Sequence, residues 1–116
     1  MKRKDEINCQ KRADFAISLI EKDSSSILEL GSGGGEVLIN LKNRGLNPLG
    51  LDINPEYYLM LQKKGIRIKK WDLNNGLPFR SNSFDVIIAL EILEHLYNPY
   101  AMMEEIKRVL KKVVMP

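Results

Sequence analysis

Between residues 31 and 35 the chain reads Gly31-Ser32-Gly33-Gly34-Gly35, with Glu29 two residues upstream. The turn follows the short apolar run Ile27-Leu28-Glu29-Leu30 and precedes a stretch, Glu36 to Arg44, with apolar residues at helical spacing. Backbone amides and a helix N-terminus there face whatever binds above them, and a Cβ would obstruct both the turn and close approach of a ligand. One glycine suffices for a tight turn, so four in five residues point to a binding loop. Dinucleotide fingerprints place glycines first, third and sixth; here they fall first, third and fifth, with Gly34 in addition. The sixth residue is Glu36, whose charge would repel a pyrophosphate, so a cofactor without phosphates is expected and a nicotinamide-dependent oxidoreductase is disfavoured. Asp52 ends a second apolar run, Leu49 to Ile53, where it can accept hydrogen bonds from both ribose hydroxyls of a nucleoside. A capping role for Asp52 is weakened because Asn54 already supplies that chemistry.

A second constellation is Glu91-Ile92-Leu93-Glu94-His95, which contains the chain's one histidine. Three readings stand, in order of expectation. Glu94 and His95 cap or pack the turn into the next helix. Alternatively His95, with Glu91 beside it, is catalytic, the imidazole serving as a general base near neutral pH. Thirdly, Glu91, Glu94 and His95 hold Mg²⁺, Mn²⁺ or Zn²⁺, which would lower the pKa of an acceptor hydroxyl. No second histidine completes a four-ligand protein site, and no metal is expected. Cys9, the single cysteine, precedes every motif, excludes an internal disulfide and suits a helix-packing or solvent-facing thiol.

The elements that must position these residues alternate. An amphipathic helix is expected near Asn8 to Ile20, then a strand at Ile27–Leu30, a helix from Glu36 closed by Gly45, and a strand at Leu49–Ile53. Asn54-Pro55 opens the next helix, closed by Gly65; Ile66–Lys69 and the apolar run Phe84–Leu90 are further strands. A helix over Pro99–Lys112 and a fifth strand at Val113–Met115 complete the order. Strands separated by helices pair in parallel through right-handed crossovers, so the fold class is α/β, a doubly wound sheet with ligands at the carboxyl ends of its strands.

The segments ILELGSGGGEV, LGLDINP, IKKWDLNNGLPFRSNSFDVIIALEILEHLYNP and EEIKRVLK, in this order and spacing, resemble the successive motifs of class I S-adenosylmethionine-dependent methyltransferases over about four fifths of the chain. The DLNNGLPF segment and the short helix from Tyr58 to Gly65 most resemble the branch of methionine-biosynthesis accessory proteins and small-molecule methyltransferases, and the E-x-x-E-H spacing resembles that of ubiquinone-biosynthesis and small-RNA O-methyltransferases. The resemblance implies a Rossmann-like sheet of strand order 3-2-1-4-5 with helices on both faces, and S-adenosyl-L-methionine as cofactor. It also implies that Glu29 and the loop residues Gly31, Ser32, Gly33 and Gly35 hold the methionine end, Asp52 the ribose, and Ile53 the adenine face. By the same carry-over Asp72 meets the adenine amino group, Leu73 lies beside the ring, and Leu90 approaches the donor sulfur through its backbone. The activity implied is methyl transfer to a small molecule, with a protein side chain or RNA as other acceptors.

The 116 residues form one expected domain, 1–116, corresponding to the N-terminal portion of that family's fold. Family members continue into two further strands after strand five, whereas Val113-Val114-Met115-Pro116 ends this sequence. The expectation is a sheet lacking the last two strands, with an apolar edge covered by a second copy of the chain or by a partner protein. A cofactor-binding module without independent catalysis is the alternative to an enzyme. No apolar run reaches the ~20 residues that span a bilayer, and the N-terminus lacks a signal-peptide core, so no membrane association and a cytoplasmic location are expected. Net charge is +3, and the Lys63–Lys70 cluster with Trp71 is a weak nucleic-acid hint beside its plainer reading as solvated helix ends.

Overall fold

The computed structural model describes residues 26–111 apart from Glu91, together with Asp14, Ser18 and Ile20. The expected first helix and the fifth strand at Val113–Met115 therefore fall almost wholly outside the described residues.

Four parallel strands form one sheet in the order β3-β2-β1-β4. Strand β1 (Ile27–Leu30) is central and buried at all four positions, as its apolar run requires. It pairs with β2 (Leu49–Asp52) through Leu28↔Leu49 to Leu30↔Leu51 and with β4 (Val86–Ala89) through Ile27↔Val86 to Leu30↔Ala89. Strand β3 (Arg67–Lys70) lies outside β2. Phe84, expected within the fourth strand, instead makes an isolated parallel bridge to Leu110. That bridge joins Leu110, the residue after the last helix, to the segment that enters β4. Among the described residues no helix is long and apolar enough to cross a membrane.

Alternation along the strands sorts the core into two faces. Ile27, Ile68 and Ile88 meet helices α1 (Glu36–Asn43) and α2 (Pro55–Lys63) through Val37, Leu38, Leu41 and Leu61. Leu28, Leu30 and Leu51 meet helix α3 (Pro99–Val109) through Met102 and Val109 on the opposite face. Helix α2 starts as expected, with Asn54 Oδ1 accepting from Glu56 N at 2.9 Å and Pro55 in the first turn. Asn98 and Pro99 repeat the device at α3, where Asn98 Oδ1 accepts from Ala101 N at 3.0 Å.

The segment between β3 and β4 is held by side chains. Glu105 on α3 accepts from Leu77 N at 2.9 Å, and Arg108 one turn later donates to Phe79 O at 2.8 Å and Leu77 O at 3.0 Å. The two also pair with each other at 2.6 Å, and this partner with the Leu77 amide holds the Glu105 carboxyl below the usual carboxylate range. From the sheet side, Trp71 Nε1 donates to Gly76 O at 2.8 Å.

Apolar burial of α1 against its neighbours is a substantial stabilising contribution. Leu38 is fully buried among Leu61, Ile66 and Ile68. Leu38→Ala removes those contacts and leaves a cavity, so it is expected to lower unfolding free energy by ~2–5 kcal/mol in urea denaturation without changing the strand order.

Candidate active site

The order of the strands reverses direction between β1 and β4, and an α/β sheet opens a crevice at such a point, beyond the strand carboxyl ends. The glycine turn stands there because β1 delivers it directly. Gly31 N and Ser32 N both donate to Leu51 O, at 2.9 and 3.1 Å, which ties the turn to the end of β2. Gly33 N donates to Asp52 Oδ2 at 2.8 Å, and Asn54 N donates to Asp52 Oδ1 at 2.8 Å. Gly35 N closes back on Ser32 O at 3.0 Å. Gly35 has φ +83°, and a Cβ added to it would overlap Leu61 Cδ2, so packing alone demands glycine there. At Gly34 a Cβ would meet nothing within 4 Å. The space beside Gly34 belongs to the cleft.

These bonds bear on the ligand. Four of the turn's five amides, at Gly31, Ser32, Gly33 and Gly35, already donate within the protein, so the turn is not a nest of free donors for a pyrophosphate. The exclusion of a dinucleotide thus rests on more than the charge of Glu36. Asp52 keeps a further lone pair on each carboxylate oxygen for ribose hydroxyls after accepting its two amides.

The cleft has a volume of about 580 Å³, within the range of small-molecule sites. Of the residues expected to act there, Glu29, Gly31, Ser32, Gly33, Leu90 and His95 line it. Gly35, the last residue of the turn, and Asp52, bonded to the turn through Gly33 N, are outside the cleft lining. Farther toward β3 are the exposed Ile53, the half-buried Asp72 and Leu73, outside the cleft lining. Asp72 Oδ1 accepts from Asn74 N at 3.0 Å and caps a single 3₁₀ turn, Leu73–Asn75, while the Leu73 side chain is buried in the α3-side core. Val37 and Tyr57 also line the cleft without a role assigned from the sequence, and Glu36, expected to repel a pyrophosphate, lines it as well. For Tyr57 a signal existed: Asn54-Pro55 fixes the start of α2 and so puts residue 57 in its first turn, beside the end of β2.

Glu29 is the unusual member. It is only 4% exposed, yet its Oε1 has no hydrogen-bond partner, and neither has the buried hydroxyl of Ser32 beside it. Burial pushes the Glu29 carboxyl up to about 8; the charges of Asp52 and Glu36 add to the rise, while the neighbouring Ser32 hydroxyl opposes it. Among the described residues no lysine or arginine lines the cleft.

The Glu91-to-His95 segment departs from its first expectation. Leu93–His95 form one 3₁₀ turn with no side-chain cap, and Asn98 caps the helix that follows. The side chains of Glu94 and His95 are 58% and 71% exposed, with Oε1 and Nε2 3.9 Å apart, so neither packs the turn. His95 faces the cleft instead. Glu91 lies outside the described residues, and among the described residues no three His, Cys, Asp or Glu side chains converge on a metal position.

The family model described as a methyltransferase domain matches residues 28–113. The chain belongs to the methyltransferase domain family. A bifunctional methionine biosynthesis protein, MetXA/MetW, of Rhodopirellula baltica is 32% identical over 95 residues, which cover 73% of this chain and 15% of that protein. A ubiquinone biosynthesis O-methyltransferase of Xanthomonas oryzae pv. oryzae is 23% identical over 106 residues, covering 86% of this chain and 44% of the relative. Among solved structures, a SAM-dependent methyltransferase from Archaeoglobus fulgidus superposes with a TM-score of 0.79 at 22% identity, over 90% of this chain and 48% of that one. This methyltransferase domain thus spans less than half the length of each of these relatives, and its parallel 3-2-1-4 sheet is the Rossmann-like fold that the motifs implied.

The raised Glu29 pKa has a consequence for stability in the ligand-free methyltransferase domain. A carboxyl that holds its proton more tightly folded than unfolded loses stability as pH rises through the unfolded value of 4.5 to the folded value of about 8, and is level beyond. Glu29→Gln is expected to be no less stable than the parent near pH 5 and to exceed it by on the order of a few kcal/mol at pH 8, read from urea midpoints across that range.

Proposed function

We propose that this chain is a single domain, 1–116, that binds S-adenosyl-L-methionine in the cleft beyond β1 and β4 and directs its methyl group to a small-molecule acceptor in the cytoplasm. The observation that carries this reading is the buried Glu29 carboxyl, whose Oε1 has no hydrogen-bond partner, in a cleft that Glu36 also lines and that no lysine or arginine lines among the described residues. Such a cleft suits a nucleoside bearing an ammonium and a sulfonium, and it repels phosphates. Glu29 and the turn Gly31, Ser32, Gly33 and Gly35 hold the methionine end, Asp52 takes the ribose hydroxyls, and Ile53, Asp72 and Leu73 form the adenine side. Leu90 lies by the sulfur.

The bound sulfonium supplies a methyl group that is already activated for in-line transfer. What remains for the chain is alignment, and removal of a proton when the acceptor is a hydroxyl. His95, exposed at the cleft on its 3₁₀ turn, is the group in reach of such an acceptor, with Glu91 four residues earlier in sequence. The ubiquinone biosynthesis O-methyltransferase among the relatives favours an oxygen acceptor as well.

Calorimetric titration with S-adenosylmethionine, S-adenosylhomocysteine and NADH separates this reading from its rivals. Binding of the first two and not the third is expected, and Asp52→Asn should weaken both roughly ten- to hundredfold by loss of charge-assisted ribose bonds, with an unchanged circular dichroism spectrum. Binding of NADH alone would sink the proposal. Methyl transfer to catechol-like hydroxyls, assayed with and without Mg²⁺, then reports turnover, and His95→Ala should lower it by about 10²–10⁴ while leaving cofactor affinity unchanged.

A further inference from the structure

The 3₁₀ turn Leu93–His95, which presents the imidazole to the cleft, is attached at both of its ends to the loops that the proposed nucleoside site uses. At its start the Ile92 side chain lies over Gly31. A Cβ added to that glycine would stand 2.8 Å from Ile92 Cδ1 and 3.2 Å from Cγ1, so the first loop glycine leaves the room that Ile92 occupies. Beyond its end, Tyr97 N donates to Asn74 Oδ1 at 2.9 Å across 23 residues of sequence. Asn74 is itself fixed from the proposed adenine side: Asp72 Oδ1 accepts from its backbone amide at 3.0 Å, and Trp71 Nε1 donates to Gly76 O at 2.8 Å just after it. Leu93 and Leu96 anchor the histidine turn in the α3-side core. Packing does not close its junction with the Asn74 turn, where a cavity of about 80 Å³ is lined by Leu73, Asn74, Leu96 and Tyr97 among others. Among the described residues no hydrogen bond other than that of Asn74 to Tyr97 joins residues 73–76 to residues 92–98.

We propose that Asn74 is a positioning residue for His95: its side chain locks the end of the histidine turn to the adenine side of the cleft, while Ile92 on Gly31 holds the start to the methionine side. A nucleoside docked across both loops then fixes where the imidazole stands. This rests on the reading of the cleft as the S-adenosylmethionine site. The imidazole is 71% exposed and stands 3.9 Å from Glu94 Oε1, so its place follows the backbone of the turn. Proton removal from an acceptor demands hydrogen-bond distance, and a turn free to shift at Tyr97 would lose that distance without any change in the cofactor's own contacts. Asn74 lies outside the cleft lining and therefore acts on the imidazole through the turn.

His95 is the chain's one histidine, so its ring protons give a single set of resonances that report where the imidazole stands. In the protein titrated with S-adenosylhomocysteine, the His95 Hε1 resonance should move along the same saturation curve as the amides of Gly31 to Gly35. Asn74→Ala removes the acceptor and Tyr97→Pro removes the donor; Leu96, with φ −93° and ψ 149°, already has the extended backbone that suits the residue before a proline. In each variant S-adenosylhomocysteine should bind within about threefold of the parent and move the glycine-turn amides as before, while the His95 shift at saturation is mostly lost. Each is read on its own, so a failure of one to fold leaves the other to decide. Asn74→Asp, which keeps an acceptor, should restore the shift, and Asn74→Ala added to Tyr97→Pro should change nothing further. A His95 shift that persists at its parent size in the single variants would overturn the proposal while leaving the cofactor site intact, as would a shift lost only in step with the affinity. Failure of the parent protein to bind S-adenosylhomocysteine overturns the site and the proposal together.

Discussion

The carboxylate of Asp52 carries the architecture of the cleft. Its two oxygens accept from Gly33 N and Asn54 N, each at 2.8 Å, and so join the turn after β1 to the turn after β2. Leu51 O, the preceding carbonyl, takes two more amides from the same glycine turn. Without the Asp52 carboxylate the turn keeps its two bonds to Leu51 O and the bond Gly35 N→Ser32 O, and loses the tie that Gly33 N makes to the turn after β2. One acidic residue thus sets the backbone of the ligand site before any ligand arrives, which is the preorganisation that methyl transfer between already activated partners most requires.

That arrangement works against stability. Glu29, Asp52 and Glu36 gather around a cleft that no lysine or arginine lines among the described residues, and burial, with those charges added, pushes the Glu29 carboxyl up. The rest of the fold offsets the strain with apolar burial on both faces of the sheet and with the Glu105–Arg108 clamp on the β3–β4 segment. Affinity for a cationic ligand and instability of the empty cleft have the same origin, because the ligand's charge is what the site lacks.

Much of this was legible in the residues. The period-2 and period-3.6 patterns placed the four described strands and the starts of the three helices within a residue or two, since those patterns report which face is buried; the last helix, expected to run to Lys112, ends at Val109. Asn54-Pro55 marked the start of α2 because its capping bond is local, spanning two residues. What pattern reading could not reach were bonds between residues far apart in sequence. Asp52 reads as a ribose ligand in the sequence, yet its clasp to Gly33 spans 19 residues; the Arg108 bond to Phe79 spans 29. The orphaned state of Glu29 is a tertiary property too, arising only when β2, β4 and α1 close around β1. For Glu94 and His95 the expectation of a packed or capping pair failed because Asn98 caps α3, leaving the 3₁₀ turn to present the imidazole to the cleft.

The central claim is that the strand ends around Glu29 and Asp52 form the nucleoside site. It is tested most directly by ¹H–¹⁵N spectra of the protein titrated with S-adenosylhomocysteine. The account predicts saturable shifts of the amides of Gly31 to Gly35, of Asp52 and Ile53, and of Leu90, with the remainder of the sheet unmoved. Saturable shifts confined to the lysine-rich end of α2 and to β3, with the glycine turn unchanged, would contradict it.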